Sequence, residues 1–324
     1  MKLRRALSWK SWYYKVLLPG LRRLGPGACD AALGAFGRGI VACQPARGRA
    51  IAEGLERARG VLGADWDLEA TGRVVAANLA RFSARDYPLD GLADDEVLGR
   101  FDVAGSEHLD SALAGGRGVI VVGSHLGAHL PAQHWLHRRG VPLRLLVQRP
   151  RHVSRDLHRW FDRADVPHPQ SAFFLRRSMT PLEAAGRLLR ARSALRDGLA
   201  VFLNGDIPWP GPDCRRGRFL GVDRTWLAVW ADLAAQARAP VVCLFAAHQP
   251  GGRYSLTIDP PRDVAPGGED AAVVAYLRRL ESEIAAHPAD AIAYLLWPCF
   301  GPPAPSIADA CPRVGRRVSI ALGR

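Results

Sequence analysis

The stretch Gly115-Gly-Arg-Gly-Val-Ile-Val-Val-Gly-Ser-His-Leu-Gly-Ala-His-Leu-Pro131 decides the reading of the fold. Its Val119-Ile-Val-Val122 run is apolar and uncharged, the pattern of a strand buried on both faces. Gly123-Ser124 breaks the run, and the residues beyond read as a helix with Ser124 as its N-cap. His125 therefore falls where a strand gives way to a helix. That is the edge of an open α/β sheet at which ligands bind. An imidazole there titrates near neutral pH and meets the positive end of a helix dipole.

Working outward, short apolar runs alternate with helical patterns. Phe101-Asp-Val-Ala104 reads as a strand, followed by a helix opening at Ser106. Further strands are expected over 141–147, 199–203, 240–246 and 253–258, with helices over 153–164, 181–196, 225–238 and 270–287. The proline-rich, basic segment 207–222 reads as a loop. Uncharged strands between helices imply an α/β fold with a largely parallel central sheet flanked by helices. Before it, 47–57 and 71–82 carry apolar residues at helical spacing. The expected organisation is a basic membrane-surface segment (1–25), a helical region (26–100), the α/β domain (101–300) and a proline-rich basic tail (301–324).

Of 324 residues, 44 are Lys or Arg and 31 Asp or Glu, a formal charge of +13, which favours anionic partners such as phospholipid head groups, phosphate-bearing substrates or an acidic carrier protein. Nucleic acid would answer to the same charge, but no recognised DNA or RNA module is present, so none is expected as a partner. The amino-terminal segment mixes Lys2, Arg4, Arg5, Lys10, Lys15, Arg22 and Arg23 with Trp9, Trp12, Tyr13, Tyr14, Val16, Leu17 and Leu18. Its apolar run is too short to span a bilayer. Basic residues interleaved with Trp and Tyr fit a helix lying in the head-group plane, or, more simply, a helix packed on its own domain. The six cysteines form no C-x-x-C pair, which reads as structural thiols in a reducing compartment.

Several pieces, in order, carry a resemblance: Gly105-x-Glu107-His-Leu, Gly116-Arg-Gly-Val-Ile-Val-Val-Gly-Ser-His125-Leu-Gly127, Gln148-Arg149-Pro150, Leu203-Asn-Gly-Asp206, Gly217-Arg-Phe-Leu-Gly221, Ala239-Pro-Val-Val and Leu280-Glu-Ser-Glu-Ile-Ala-Ala-His-Pro288 with Trp297 beyond. Together they resemble the bacterial lipid A biosynthesis acyltransferases, a branch of the lysophospholipid acyltransferase superfamily. The resemblance implies transfer of an acyl chain from acyl carrier protein or acyl-coenzyme A, as substrate and with no cofactor, to a hydroxyl or amine of a glycolipid or lysophospholipid-like acceptor. It implies a peripheral protein on the cytoplasmic face of the inner membrane, with membrane lipids as partners. The histidine of an H-x4-acidic motif would be general base, its acid the orienter. His125 holds the first position.

Leu130 stands where the acid belongs. Loss of the carboxylate from an analogous triad costs about 10⁴ in rate. Three outcomes follow from this departure. A carboxylate from elsewhere, Asp206, Glu107 or Asp110, substitutes; or His125 acts without one, held by His129; or the chain is an impaired or inactive lipid-binding relative. Asp206 is preferred among the acids, because a strand end would bring it to the same sheet edge, although a turn residue accepting backbone hydrogen bonds reads the same way. Ser124, Gly127, His129, Arg149 and Arg218 are the expected substrate-binding residues, the arginines as phosphate contacts. No metal is expected, since Leu126 occupies the Glu position of H-E-x-x-H and no third ligand is evident. Absence of G-x-S-x-G argues against a serine hydrolase at Ser124.

Overall fold

Val119-Ile-Val-Val-Gly123 forms a strand in which every residue is buried, as an uncharged run between helices must be. The computed structural model describes residues 9–176, 178–211 and 213–301. Expectations for residues 1–8 and for the tail from 302 onward lie outside the described residues.

In chain order, an amino-terminal helical segment (Trp9–Trp12, the π-helical turn Tyr13–Leu17 and Leu18–Arg22) leads into α1 (Pro26–Ala42), α2 (Pro45–Leu62), α3 (Leu68–Ala84) and the short α4 (Asp94–Leu98). Next come β1 (Phe101–Ala104), α5 (Ser106–Ala114), β2 (Val119–Gly123), α6 (His129–Arg138), β3 (Leu143–Leu145), α7 (Arg155–Phe161) and α8 (Pro181–Arg196). The chain continues through β4 (Ala200–Asn204), β5 (Cys214–Phe219), β6 (Val222–Leu227), α9 (Val229–Ala237), β7 (Val241–Gln249), β8 (Arg253–Ile258), α10 (Glu269–Ala286) and α11 (Ile292–Leu296).

The main sheet has the order β1-β8-β7-β2-β4-β3. All its pairings are parallel except β7 with β8. This is the mixed, largely parallel α/β architecture expected. Alternation along β2 feeds two apolar layers. Ile120 and Val122 pack with Leu55, Leu195, Trp230 and Tyr276, whereas Val119 and Val121 pack with Leu109, Leu136 and Leu157. Each such buried side chain contributes about 1.5–3 kcal/mol. Pro181 sits in the first turn of α8 behind a Thr180/Glu183 capping box, which fixes the start of that helix.

The structure corrects the expected elements in five places. The helix after β2 starts at His129, not at Ser124. Gly127 has φ 41° and gives its N–H to the Asp290 carbonyl, while Ala128 gives its N–H to Ala246. Those amides are committed to neighbouring elements, so residues 124–128 form a bend. Segment 207–222 is not all loop, and the helix placed at 225 starts at Val229. Between them β5 and β6 pair antiparallel around Leu220-Gly221, whose φ values of 47° and 77° suit a tight hairpin turn. Strand 141–147 shortens to β3, and the helix expected over 153–164 shortens to α7.

The amino-terminal segment divides its faces. Tyr13 and Leu18 are buried with Cys29, Leu33, Ala80 and Ala84, against α1 and α3. Trp12, Val16 and Leu24 remain more than half exposed. Among the described residues no helix is long and apolar enough to cross a membrane.

Candidate active site

Register builds the site. β2 and β4 pair in parallel from Val119↔Ala200 to Gly123↔Asn204, so the residues after each strand emerge side by side. Glycine is required at 123, since a Cβ would lie 2.3 Å from the Phe202 ring. The Gly123 carbonyl accepts from Gly205 N–H at 2.9 Å and from the Tyr276 hydroxyl at 2.7 Å, fixing both chain exits. His125 and Asp206 leave these exits facing each other.

Asp206 is fully buried. Its Oδ1 lies 3.0 Å from His125 Nδ1, and its Oδ2 accepts the His125 backbone N–H at 2.7 Å and the Tyr294 hydroxyl at 2.6 Å. A buried carboxylate is tolerable only when so satisfied. Burial pushes Asp206 up, but the His125 charge and these hydrogen bonds outweigh it and hold the carboxyl below its ordinary range. Burial raises the Tyr294 phenol far up, so its hydroxyl stays a donor.

With Nδ1–H directed at Asp206, the other ring nitrogen, Nε2, is the one left to accept a proton. The side chain keeps 22% of its surface exposed, and Asn204 Nδ2 stands 3.4 Å from Nε2. Burial pulls His125 down, yet the Asp206 carboxylate outweighs burial by charge and hydrogen bond, and Arg85 opposes it. The net effect raises the imidazole above its ordinary value of 6.5. The ring meets an aromatic wall: Trp297 at 5.3 Å and His129 at 5.5 Å between centroids, with Phe82 behind His129 at 5.4 Å. Burial, with His125 and Arg85 as neighbours, drives His129 down to about 3, so it stays neutral at working pH.

Among the other sequence-predicted residues, Ser124 is buried. Its Oγ accepts from Leu126 N–H at 3.2 Å. Gly127 is the hinge of the bend, where a Cβ would sit 2.6 Å from Asp290 Oδ1. Asp290 in turn holds His248 Nδ1 at 2.6 Å, anchoring the bend to β7. Arg149 is paired with Asp162 at 2.8 Å and lies over Phe161 and Phe174. Arg218 is exposed on β5, where it acts on Glu281. Asp110 pairs with Arg139 at 2.7 Å, and Glu107 lies 3.9 Å from His108, so neither is the partner of His125. Leu130 is 4% exposed and belongs to the Val119/Val121 layer.

Sequence reasoning missed Tyr294, Asn204, Trp297 as a wall and Arg85. Only Asn204 carried a signal, being the last residue of β4 beside Asp206.

Residues 174–294 match the family model described as bacterial lipid A biosynthesis acyltransferase. No curated protein matches the chain. The matched span includes β4, Asp206 and Tyr294, and joins to His125 through the β2–β4 register. Over that span the chain is similar to the bacterial lipid A biosynthesis acyltransferases, and the match supports an acyltransferase for a lipid-like acceptor.

Proposed function

We propose that the chain transfers an acyl group from a thioester, on acyl carrier protein or coenzyme A, to a hydroxyl or amine of a glycolipid or lysophospholipid-like acceptor. His125 is the general base and Asp206 its orienter. The observation that carries this reading is the 3.0 Å contact between His125 Nδ1 and a buried Asp206, which leaves Nε2 unprotonated on the open side. Nε2 takes the acceptor proton as the acceptor oxygen or nitrogen attacks the thioester carbonyl. The tetrahedral oxyanion collapses, the C–S bond breaks, and the departing thiolate takes the proton back from the imidazolium. General-base catalysis of this kind contributes about 10²–10⁴-fold. Asp206 stabilises the transient imidazolium without taking its proton, the role a carboxylate plays in related triads. No cofactor enters the reaction.

The alternative, an inactive lipid-binding relative, rests on Leu130. Asp206, two residues past the end of β4, supplies the carboxylate that position 130 lacks, which favours catalysis. Ser124, Gly127 and His129 border the imidazole and are the proposed substrate contacts. Arg149, paired with Asp162, and Arg218, exposed on β5, remain proposed phosphate contacts. The protein is proposed to act as a peripheral protein on the cytoplasmic face of the inner membrane. The exposed Trp12, Val16 and Leu24 beside Lys10, Lys15 and Arg23 support lipid contact by the amino-terminal segment. In this reading segment 1–25 faces lipid, 26–100 braces the sheet and 101–300 carries the chemistry. The test is mass-spectrometric detection of an acylated lipid after incubating purified protein with an acyl thioester and mixed membrane lipids. Product formed by the wild type and lost in His125→Ala supports the reading; lipid binding without product in the wild type favours the alternative.

A further inference from the structure

The turn Pro288–Asp290 joins α10 to α11 and is gripped from two sides. Asp290 is 3% exposed, and a carboxylate at that depth needs partners. Its Oδ1 accepts from His248 Nδ1 at 2.6 Å, and the His248 backbone N–H lies 3.3 Å from both carboxylate oxygens. His248 therefore carries a proton on Nδ1. Its ring is buried near the end of β7, 5.9 Å from the Tyr254 ring. From the other side, Asn78 of α3 gives its amide N–H to the Ala289 carbonyl at 3.2 Å. Asn78 is itself oriented, its Oδ1 accepting from Arg81 Nη1 at 2.8 Å. Arg81 in turn holds Asp30 of α1 through two donors, at 2.7 and 2.8 Å. A histidine thus ties the turn to the sheet, and an amide ties it to the helices.

Both halves of the dyad lean on this turn. The Asp290 carbonyl accepts the Gly127 N–H at 3.0 Å, and Ala246, on the same strand as His248, accepts the Ala128 N–H at 3.0 Å. These bonds shape the bend that presents His125. A Cβ on Gly127 would lie 2.6 Å from Asp290 Oδ1, so bend and carboxylate pack without a gap. Just beyond the turn, Tyr294 of α11 donates to Asp206 Oδ2 at 2.6 Å, and Trp297 stands 5.3 Å from the His125 ring. A shift of 288–290 would move the bend through its hydrogen bond, and Tyr294 and Trp297 through the chain.

We propose that His248 and Asn78 are positioning residues for His125. By clamping the 288–290 turn they fix, at one point, the bend that carries the base and the helix that carries the tyrosine partner of Asp206. Neither touches the reacting atoms. The inference rests on the reading of His125 as the base, but its first readout, the state of the His125 ring, needs no turnover.

The experiment compares His248→Leu with His248→Asn in the full chain. Leucine fills the space and removes the donor, whereas the asparagine amide nitrogen stands close to the place of Nδ1 and keeps it. Nitrogen–proton NMR reads the titration of His125, and thiol release from an acyl-coenzyme A with mixed membrane lipids gives kcat and KM. In His248→Leu the Asp206 carboxylate that lifts the imidazole is misaligned, so the His125 midpoint is expected to fall from its wild-type value. There kcat should drop by about 10²-fold, with KM for the thioester held within about twofold. His248→Asn is expected to restore the midpoint and bring kcat back to within about threefold of wild type. Leu109→Ala, which opens a cavity in the Val119/Val121 layer, should lower thermal stability and leave the His125 midpoint in place. Should His248→Leu fail to fold, Asn78→Ala removes the donor to Ala289 while Asp30 still holds Arg81; the midpoint should fall and kcat drop by about tenfold. A folded His248→Leu with the midpoint and kcat of the wild type overturns the positioning role and leaves the base standing. So does a loss that His248→Asn shares in full, or a midpoint that Leu109→Ala moves equally. A midpoint that falls as expected in a protein that never transfers acyl groups overturns the catalytic reading and leaves the clamp standing.

Discussion

Asp206→Asn is the most informative single change. Asp206 accepts three hydrogen bonds: from His125 Nδ1–H, from the His125 backbone N–H and from Tyr294. Asparagine offers one acceptor oxygen and one donor group in the same volume. The backbone N–H and the tyrosine converge on Oδ2, so the amide oxygen belongs there and the NH2 faces Nδ1. Two donors then meet unless the imidazole moves its proton to Nε2, and a ring protonated at Nε2 is no base. In an analogous triad the same change costs about 10⁴ in rate, equal to about 5.4 kcal/mol of barrier. The pH profile adds a signed test. In the wild type the carboxylate raises the imidazole, so activity rises with pH through a midpoint above 6.5. Without it, burial and Arg85 both push the ring down, and the residual acid limb moves below that value. The assay is thiol release from an acyl thioester with acceptor lipid, followed across the acid and neutral range. A variant within about tenfold of wild type, or a midpoint that does not fall, refutes the orienter role.

Other consequences are independent. Tyr294→Phe removes a 2.6 Å donor to a buried carboxylate, and the expected cost is about 1.5–3 kcal/mol in thermal or denaturant unfolding, with a slower acyl transfer. Leu130→Asp restores the family's motif on paper, yet position 130 lies inside an apolar layer; it should lose about 3 kcal/mol or more of stability and fail to rescue Asp206→Asn. Gly127→Ala places a methyl group 2.6 Å from Asp290 Oδ1 and 2.7 Å from the Ala246 carbonyl, so acyl transfer should fall together with melting temperature. The dyad also sets stability against pH. Asp206, held low, contributes above its ordinary value of 3.8 and loses that contribution as pH falls through its folded value. His125, held high, contributes below 6.5 and loses its share as pH rises through its folded value. Denaturant melts of wild type and His125→Ala should therefore diverge most at mildly acidic pH.

What could be read ahead of the structure was whatever a strand's own residues dictate. The uncharged run 119–122 announced a buried strand, and a second such run ending in Asn204-Gly-Asp206 put Asp206 at a strand end on the same sheet edge; that the two strands are direct neighbours, which brings Asp206 against His125, is a matter of the β2–β4 register. The bend at 124–128 was illegible because its amides are taken by Asp290 and Ala246, far along the chain. The β5–β6 hairpin was hidden by its arginines, which look like loop residues but sit on a two-stranded ribbon with an exposed face. Tyr294 gave no local sign at all, since it reaches Asp206 across 88 positions.

The most direct test of His125 as an Asp206-oriented base is a long-range nitrogen–proton NMR correlation of its imidazole, titrated through neutral pH. The account requires the neutral ring to carry its proton on Nδ1, with Nε2 bare, and to titrate above 6.5. A proton found on Nε2, or titration below that value, contradicts it.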